Sequence, residues 1–265
     1  LENPCHKMFK ELFLTNNISF KAISLDENGI VIDDLKKYDV NIAYVTPSHQ
    51  FPTGAIMSIS RRTELLNWAN ENPDRYIVED DYDSEFKYTG RPIPALKAND
   101  INDKVIYLGS FSKSISPAIR VSYLVLPKAL LNIYQRELPY FICPVPTLNQ
   151  KILYRFIKDG YFVKHINKMR TLYKKKREFL VNTIKAYSSK ILNKEIQIQG
   201  ADAGLHMVIK LNQKINEKLF LNECLENSLK LYSLEEYNIE EICRENSYFL
   251  LGYANLTNKE IEEGI

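Results

Sequence analysis

The sequence lacks any long hydrophobic run, since no apolar stretch approaches the ~20 residues that a membrane-spanning helix needs. It also lacks a charge bias: 35 lysines and arginines stand against 33 aspartates and glutamates, for a net charge of +2. A chain that grips DNA by itself usually carries a basic patch. The composition therefore argues against both a membrane protein and a stand-alone DNA-binding domain.

Cysteine and histidine are also scarce. The four cysteines show no CxxC spacing, and the four histidines form no HExxH or similar motif. We therefore expect no metal centre. Scattered thiols in a chain of 265 residues are typical of the reducing cytoplasm, where we expect this protein to act.

Apolar segments alternate with helical patterns in the first half of the chain. Strands are predicted over 18–25, 41–46, 76–80, 105–110 and 121–126. Several of them are almost continuously apolar, as are parallel strands buried on both faces. A helix is predicted over 61–72, with Ser60 as its N-cap. This alternation predicts an α/β layer built on a mostly parallel sheet.

The second half of the chain has a different pattern. It predicts helices over 128–137 and 148–187, a proline-rich loop over 139–147, strands over 195–199, 204–211 and 247–254, and helices over 215–229 and 257–265. We interpret the basic run at 173–178 as a solvated helix face. The sequence thus predicts a large domain over 1–170 and a smaller α+β domain over 171–265.

Polar motifs follow three of the predicted strands. They are TPSHQFPTG (46–54), EDDYDSEF (79–86) and SFSKS (110–114). In open parallel sheets, ligands bind outside the carboxyl ends of the strands. The coincidence of three such motifs predicts a binding site at that edge.

Lys113 is the first candidate for chemistry. It could be a surface charge, the lysine of an SxxK acyl-transfer motif that begins at Ser110, or a Schiff-base lysine. The SDN and KTG motifs that accompany SxxK are absent. Ser110, Ser112 and Arg120 supply hydroxyls and a guanidinium for a phosphate. A desolvated lysine in this company favours a Schiff base to a phosphorylated aldehyde.

The acidic segment at Asp80, Asp81, Tyr82 and Asp83 is the second candidate. It could be a hydrated polar turn or a Mg²⁺ site, although the chain has no glycine-rich phosphate loop. A carboxylate beside a pyridine nitrogen would instead keep that nitrogen protonated, which makes pyridoxal phosphate (PLP) an electron sink. Tyr82 could then donate to the phenolic oxygen of the ring.

Together with ADAGLHMVIKL (201–211) and FLLGYANLTNKEIEEGI (249–265), the three motifs resemble the aminotransferase-like domain of MocR-type regulators in the GntR family. These regulators join a winged helix-turn-helix domain to a fold-type-I PLP domain. The resemblance extends over essentially the whole chain. It implies the following cofactor-binding residues: Lys113 as the Schiff-base lysine, Asp80 at the pyridine nitrogen, Tyr82 at the phenolic oxygen, Ser110, Ser112 and Arg120 near the phosphate, and His49 and Phe51 in the pocket wall.

Three features depart from the pattern of the family. Phe51 stands before PTG, where aminotransferases have asparagine, so that hydrogen bond to the cofactor is lost. Leu250 and Leu251 stand where many relatives have an arginine that binds the substrate carboxylate. The opening LENPCHKMF resembles the segment after the upstream phosphate-binding loop. We therefore expect a piece of a longer protein, without its DNA-binding domain and the start of its large domain.

The resemblance implies an effector-binding and dimerisation domain of a transcriptional regulator, with little or no turnover. The alternative is an active PLP-dependent aminotransferase or a related lyase, and a third possibility is a cofactor-free dimerisation module. The expected partners are a second copy of the chain and an amine, an amino acid or PLP itself as effector. DNA would be bound only through a domain outside this chain.

Overall fold

The structure is a computed structural model, and it describes residues 1–91, 93–188 and 196–264. The strands form three sheets, connected and covered by helices. Across these described ranges, no helix is both long and apolar enough to cross a membrane.

The first forty residues form a small sheet beside a helix. The elements are β1 (Glu2–Asn3), α1 (Lys7–Thr15), β2 (Ile23–Asp26), β3 (Gly29–Ile30) and α2 (Ile32–Leu35). β1 pairs in parallel with β2, and β2 pairs antiparallel with β3. The predicted strand over 18–25 begins only at Ile23 in the structure. Helix α1 was not predicted, and it buries none of its residues completely.

The next four strands form the central sheet, in the spatial order in which they follow along the chain. They are β4 (Ile42–Val45), β5 (Tyr76–Asp81), β6 (Val105–Ser110) and β7 (Ser122–Val125). The first three are parallel, and β7 runs antiparallel to β6. The connection between β6 and β7 is short and contains one 3-10 turn, whereas a parallel crossover needs a dozen or more residues. The predicted mostly parallel sheet is confirmed.

Helix α3 (Ile59–Asn70) connects β4 to β5. Its N-cap is Ser58, whose hydroxyl accepts from the Arg61 amide, so the predicted cap at Ser60 is wrong by two residues. Ser60 lies inside the helix, and its hydroxyl donates to Glu64. The helix buries its apolar face in the core of the central sheet with Leu65, Trp68 and Ala69.

Three helices follow the central sheet: α4 (Lys128–Glu137), α5 (Thr147–Lys158) and α6 (Tyr161–Tyr187). The segment predicted to be helical over 148–187 therefore forms two helices. Gly160 separates them with a φ of +77°, a left-handed conformation that glycine adopts without steric cost.

The basic run at 173–178 lies in α6 and is only partly solvated. Lys176 donates to the Ala254 carbonyl and Arg177 to the Ala201 carbonyl. The prediction of a solvated face is therefore wrong for these two residues, because that side of α6 packs against the C-terminal region.

The C-terminal region is an antiparallel sheet with helices beside it. Its elements are β8 (Gln197–Gln199), β9 (His206–Leu211), α7 (Glu217–Glu226), β10 (Tyr232–Ser233), β11 (Ser247–Gly252) and α8 (Asn258–Glu263). The sheet order is β10-β11-β9-β8. The predicted strands and helices are confirmed with shorter bounds, while residues 195 and 265 lie outside the described residues.

The two largest apolar clusters among the described residues pack helices against the two main sheets. One lies between α3 and the central sheet, and the other lies between α6 and the C-terminal sheet. Phe86, from the segment after β5, belongs to the second core with Leu180 and Met207. The predicted domain boundary near residue 170 falls inside the continuous helix α6, so the division into 1–170 and 171–265 stays a prediction.

Candidate functional site

A cavity of about 490 Å³ lies where the ends of β4, β5 and β6 meet the C-terminal sheet. Four predicted residues line it: Phe51, Asp80, Tyr82 and Lys113. Three separate segments therefore bring their polar motifs to one space. This is the arrangement expected at the carboxyl edge of a parallel sheet.

Lys113 lies in a tight turn after β6. The Phe111 amide donates to the Val121 carbonyl at 3.0 Å, and His165 Nε2 lies 3.1 Å from the Ser114 carbonyl. Ser114 is buried, but Lys113 is exposed. The predicted desolvation of the Lys113 amine is thus not present in this structure.

Asp80 is the next-to-last residue of β5 and is held by a neighbouring strand. The Tyr44 hydroxyl on β4 donates to Asp80 Oδ2. Burial raises the pKa of the Asp80 carboxyl, and the bond from Tyr44 partly opposes that rise. The carboxylate therefore has a fixed orientation and one oxygen, Oδ1, that is not engaged by Tyr44.

Tyr82 reaches the cavity, but its proton is already used. Its hydroxyl donates to the His49 carbonyl at 2.6 Å. A phenol has one proton to donate. Donation to a phenolic oxygen of a cofactor, as predicted for Tyr82, would require the bond to His49 to be released.

His49 lies behind the cavity wall in a buried cluster. Its Nδ1 lies 3.0 Å from Asp83 Oδ2, and its Nε2 lies 3.1 Å from the Gly200 carbonyl. The His206 ring packs against it with a centroid distance of 4.3 Å. Burial lowers the pKa of His49, but the Asp83 carboxylate outweighs burial and raises it overall.

The same cluster contains three residues of types that bind metal ions. Ligand atoms of His49, Asp83 and His206 lie within 4.8 Å of one another, although sequence spacing predicted no such group. The three residues come from separate segments, so spacing along the chain could not show it. Both ring nitrogens of His49 already have hydrogen-bond partners. We therefore interpret the cluster as a structural hydrogen-bonded contact and not as a metal site.

Glu2 is a buried carboxylate on the cavity wall. Its Oε2 accepts from the Thr46 amide at 3.1 Å and from the Thr46 hydroxyl at 2.8 Å. Its Oε1 is buried without a hydrogen-bond partner among the described residues. Burial raises the pKa of Glu2 to about 7.

Phe51 contributes only apolar surface. Its ring packs at 5.2 to 5.4 Å from three other rings, those of His6, His206 and Tyr237. It also contacts the apolar cluster that contains Leu250, which is buried. Position 51 therefore offers no hydrogen bond to a ligand, in agreement with the sequence reasoning.

The remaining predicted residues, Ser110, Ser112 and Arg120, do not line the cavity. The Ser112 amide donates to Ser110 Oγ at 3.2 Å, so these two residues lie together. Arg120 is exposed with a φ of +50°, and it forms no hydrogen bond or ion pair with any residue that the structure describes. Its guanidinium is free to bind an anion.

Arg62 anchors the loop that carries His49 and Phe51. It is buried and donates to the carbonyls of Pro47 at 2.8 Å and Met57 at 3.1 Å. Its charge faces the buried Glu79 at 3.7 Å. Arg62 on helix α3 therefore holds both ends of this loop.

Sequence reasoning missed Tyr44, His206 and Glu2 as cavity residues. Tyr44 lies inside a strand that reads as apolar, and Glu2 lies in a segment without periodicity. His206 stands in the quoted stretch ADAGLHMVIKL, where a histidine at the start of an apolar strand was the available signal.

A mostly parallel sheet with a lysine and a carboxylate at its carboxyl edge agrees with the predicted aminotransferase-like fold of type I. Residues 1–265 match the family "Aminotransferase class I and II". The chain belongs to that family. The predicted fold class is thereby confirmed.

The chain is similar to regulators and to enzymes. It is 37% identical over 265 residues to the uncharacterized HTH-type transcriptional regulator YdeL of Bacillus subtilis, covering 100% of this chain and 56% of that protein. It is 28% identical over 265 residues to the probable rhizopine catabolism regulatory protein MocR of Rhizobium meliloti, covering 100% and 52%. These relatives confirm the predicted resemblance to MocR-type regulators. The chain spans about half of their length.

Among solved structures, the chain resembles the α-aminoadipate aminotransferase LysN of Thermus thermophilus in complex with N-(5'-phosphopyridoxyl)-L-leucine. The TM-score is 0.83 at 25% identity, over 99% of this chain and 67% of that enzyme. The fold of this chain is thus that of a catalytic relative, and the nature of the site must decide between regulation and turnover.

Proposed function

We propose that this chain is the effector-binding and dimerisation part of a PLP-dependent transcriptional regulator. The observation that carries the proposal is the shared cavity of Lys113 and Asp80 in a chain whose similar relatives include YdeL, an HTH-type regulator. DNA would be bound by a helix-turn-helix domain outside this chain. The site of action would then be the cytoplasm, where a bacterial regulator of this kind meets DNA.

The residues present suit PLP. When bound, PLP supplies an aldehyde that condenses with primary amines and a pyridine ring that withdraws electrons. Lys113 Nζ would be its covalent attachment point. Asp80, oriented by Tyr44, would hold the proton on the ring nitrogen. A cavity of about 490 Å³ with unpaired buried polar atoms in its wall has both room and bonding capacity for such a group.

The phosphate would lie outside this cavity. Ser110 and Ser112 lie together at the end of β6, and Arg120 offers a guanidinium without a partner. A planar guanidinium binds a phosphate through two parallel hydrogen bonds. We assign these three residues to the phosphate, with His49 behind the wall as the support of Tyr82.

Sensing is favoured over turnover by the absence of a carboxylate anchor. Leu250 stands at the position of the usual arginine, and it is buried against Val208 and Leu234. No arginine lines the cavity within the described part of the chain. The carboxylate of an α-amino acid would therefore have no arginine to bind. Aminotransferases orient their substrates through that contact. An aminotransferase or lyase remains the second candidate because of the fold that the chain shares with LysN.

The effector would be a primary amine that takes the place of Lys113, or PLP itself. Residues of the N-terminal segment, the central sheet and the C-terminal sheet all line the cavity. A ligand that contacts all three can bias their relative positions and so the dimer that presents the DNA-binding domains. The expected assembly is a homodimer.

The test is a titration with PLP, followed by the absorption band of the bound cofactor. We expect the band in the unaltered chain and in Lys151→Ala, which removes an exposed lysine of α5. Lys113→Ala should not form it. If Lys113→Ala behaves like the unaltered chain, the attachment site is wrong. Release of a keto acid from added amino acids would favour the aminotransferase.

A further inference from the structure

Two buried polar atoms on the cavity wall have no partner. Asp83 Oδ1 and His206 Nε2 form no hydrogen bond with any described residue, and their residues are 2% and 8% exposed. Both residues line the same cavity as Lys113. Leaving such groups unpaired is unfavourable, and unsatisfied groups in a cavity wall indicate a ligand that satisfies them.

Both atoms are hydrogen-bond acceptors. The Pro52 carbonyl interacts with the His206 ring and favours the tautomer with the proton on Nδ1, which leaves Nε2 as an acceptor. Burial lowers the pKa of His206 well below its usual value, so the ring stays neutral with a lone pair on Nε2. Asp83 Oδ2 lies 3.0 Å from His49 Nδ1, and the second oxygen of such a carboxylate can only accept. The missing ligand groups are therefore donors.

The charged residues of the cavity wall also favour a ligand that carries hydrogen-bond donors. Among the described cavity residues, Glu2, Asp80 and Asp83 are acidic, and Lys113 is the one lysine or arginine. A carboxylate at the far end of an effector would meet acidic oxygens and lone pairs. An ammonium at that end would meet two acceptors, one of which is a carboxylate oxygen.

We propose that the effector is an aliphatic diamine, whose reacting nitrogen replaces Lys113 and whose far ammonium donates to Asp83 and His206. This inference rests on the proposed function. In the exchange, the bond between the cofactor carbon and Lys113 Nζ is replaced by one to the effector nitrogen. The two protons of the effector amine end on Lys113 Nζ, and no oxidant or reductant is needed.

The experiment compares four amines of equal chain length with the PLP-loaded chain. They are 1,4-diaminobutane, 4-amino-1-butanol, butylamine and 4-aminobutanoate, each expressed as the concentration of its free base. The readouts are the absorption band of the bound cofactor and the unfolding temperature. We expect half-saturation by the diamine at a concentration about 10- to 100-fold below that of butylamine, the range for hydrogen bonds to charged groups. The amino alcohol should fall between them and 4-aminobutanoate should be weakest.

Two variants locate the far end of the effector. His206→Leu and Asp83→Asn should each abolish most of the preference for the diamine over butylamine, measured as the ratio of the two half-saturation concentrations within each PLP-loaded variant. Asp33→Asn, the same change at an exposed position on α2, should keep the preference.

Each outcome is decisive. If butylamine or 4-aminobutanoate binds as tightly as the diamine to the PLP-loaded chain, or if both variants keep the preference, this inference is overturned while the proposed function stands. If the chain forms no band with PLP, the proposed function fails first.

Discussion

Tyr44 on β4 donates its hydroxyl proton to Asp80 on the adjacent strand β5. The two residues come from strands that pair in parallel, so the backbone sets their spacing. Asp80 is in turn the carboxylate that we assign to the cofactor nitrogen. Tyr44 is therefore a positioning residue, which acts on the cofactor through Asp80.

Tyr44→Phe should weaken PLP binding by about tenfold, the equivalent of one hydrogen bond to a charged group. Burial already raises the pKa of Asp80, and the loss of Tyr44 raises it further, so less carboxylate is available. The measurement is the PLP dissociation constant from absorption titrations. Tyr232→Phe, at a partly exposed position of the C-terminal sheet, should leave it unchanged. Equal affinity in both variants would refute the positioning role.

Arg62→Met should destabilise the chain by roughly 3 to 5 kcal/mol, because it leaves the buried Glu79 without its positive partner. Urea unfolding followed by circular dichroism measures the loss. Arg136→Met removes an ion pair in which the arginine side chain is 73% exposed, and it should change stability by less than about 0.5 kcal/mol. A similar small effect of both variants would contradict the anchoring role of Arg62.

Glu2 should make the stability of the chain depend on pH. Burial raises its pKa from 4.5 to about 7, so the folded state binds more protons than the unfolded state between these values. Stability therefore falls as pH rises from about 4.5 to 7 and levels off above that range.

Between pH 5 and pH 8, the unaltered chain should lose about 2 to 3 kcal/mol more than Glu2→Gln does. Glu85, whose pKa burial also raises to about 7, contributes to the slope of both proteins. Glu11→Gln, at an exposed position of α1, is the control and should follow the unaltered chain. Parallel pH profiles for Glu2→Gln and the unaltered chain would show that Glu2 is ionised normally.

Gly204→Ala should disrupt the hydrogen-bonded contact between His49 and Asp83. Gly204 has a φ of +67°, and a Cβ there would lie 2.0 Å from His49 Nδ1 and 2.3 Å from Asp83 Oδ2. Gly160→Ala is the matched control, since its φ is +77° and nothing lies within 4 Å of the added atom. The control should cost about 1 to 2 kcal/mol from backbone strain alone.

Urea unfolding should show a loss for Gly204→Ala that exceeds the loss for Gly160→Ala by at least about 2 kcal/mol, because overpacking adds to the strain. The PLP band of Gly204→Ala should also weaken, since His49 holds Tyr82 at the cavity. If the two alanine variants lose equal stability, the close packing at Gly204 is not a constraint.

The central sheet was predictable because its strands carry a strong local signal. Runs such as VIYLG end in polar motifs, and parallel strands bring such ends to one edge. Asp80 and Lys113 therefore could be placed in one site from sequence alone. Helix α1 could not be predicted from the sequence, because its residues stay exposed or half-buried and tertiary contacts decide its conformation.

The hydrogen bonds of the site could not be predicted from the sequence. The Tyr82 hydroxyl and the His49 carbonyl lie on two loops of the central sheet, and the packing of the His206 ring on His49 depends on how the C-terminal sheet meets the central one. The exposure of Lys113 likewise depends on packing around its turn. Residue types at strand ends indicated chemistry, but not which protons were already engaged.

The attachment of PLP to Lys113 is tested most directly by borohydride reduction of the loaded chain, followed by peptide mass spectrometry. Reduction makes the link between the cofactor and its lysine permanent. We expect a phosphopyridoxyl group on the peptide that contains Lys113, and no specific label in Lys113→Ala. A label on a different lysine, or equal labelling of both proteins, would contradict it.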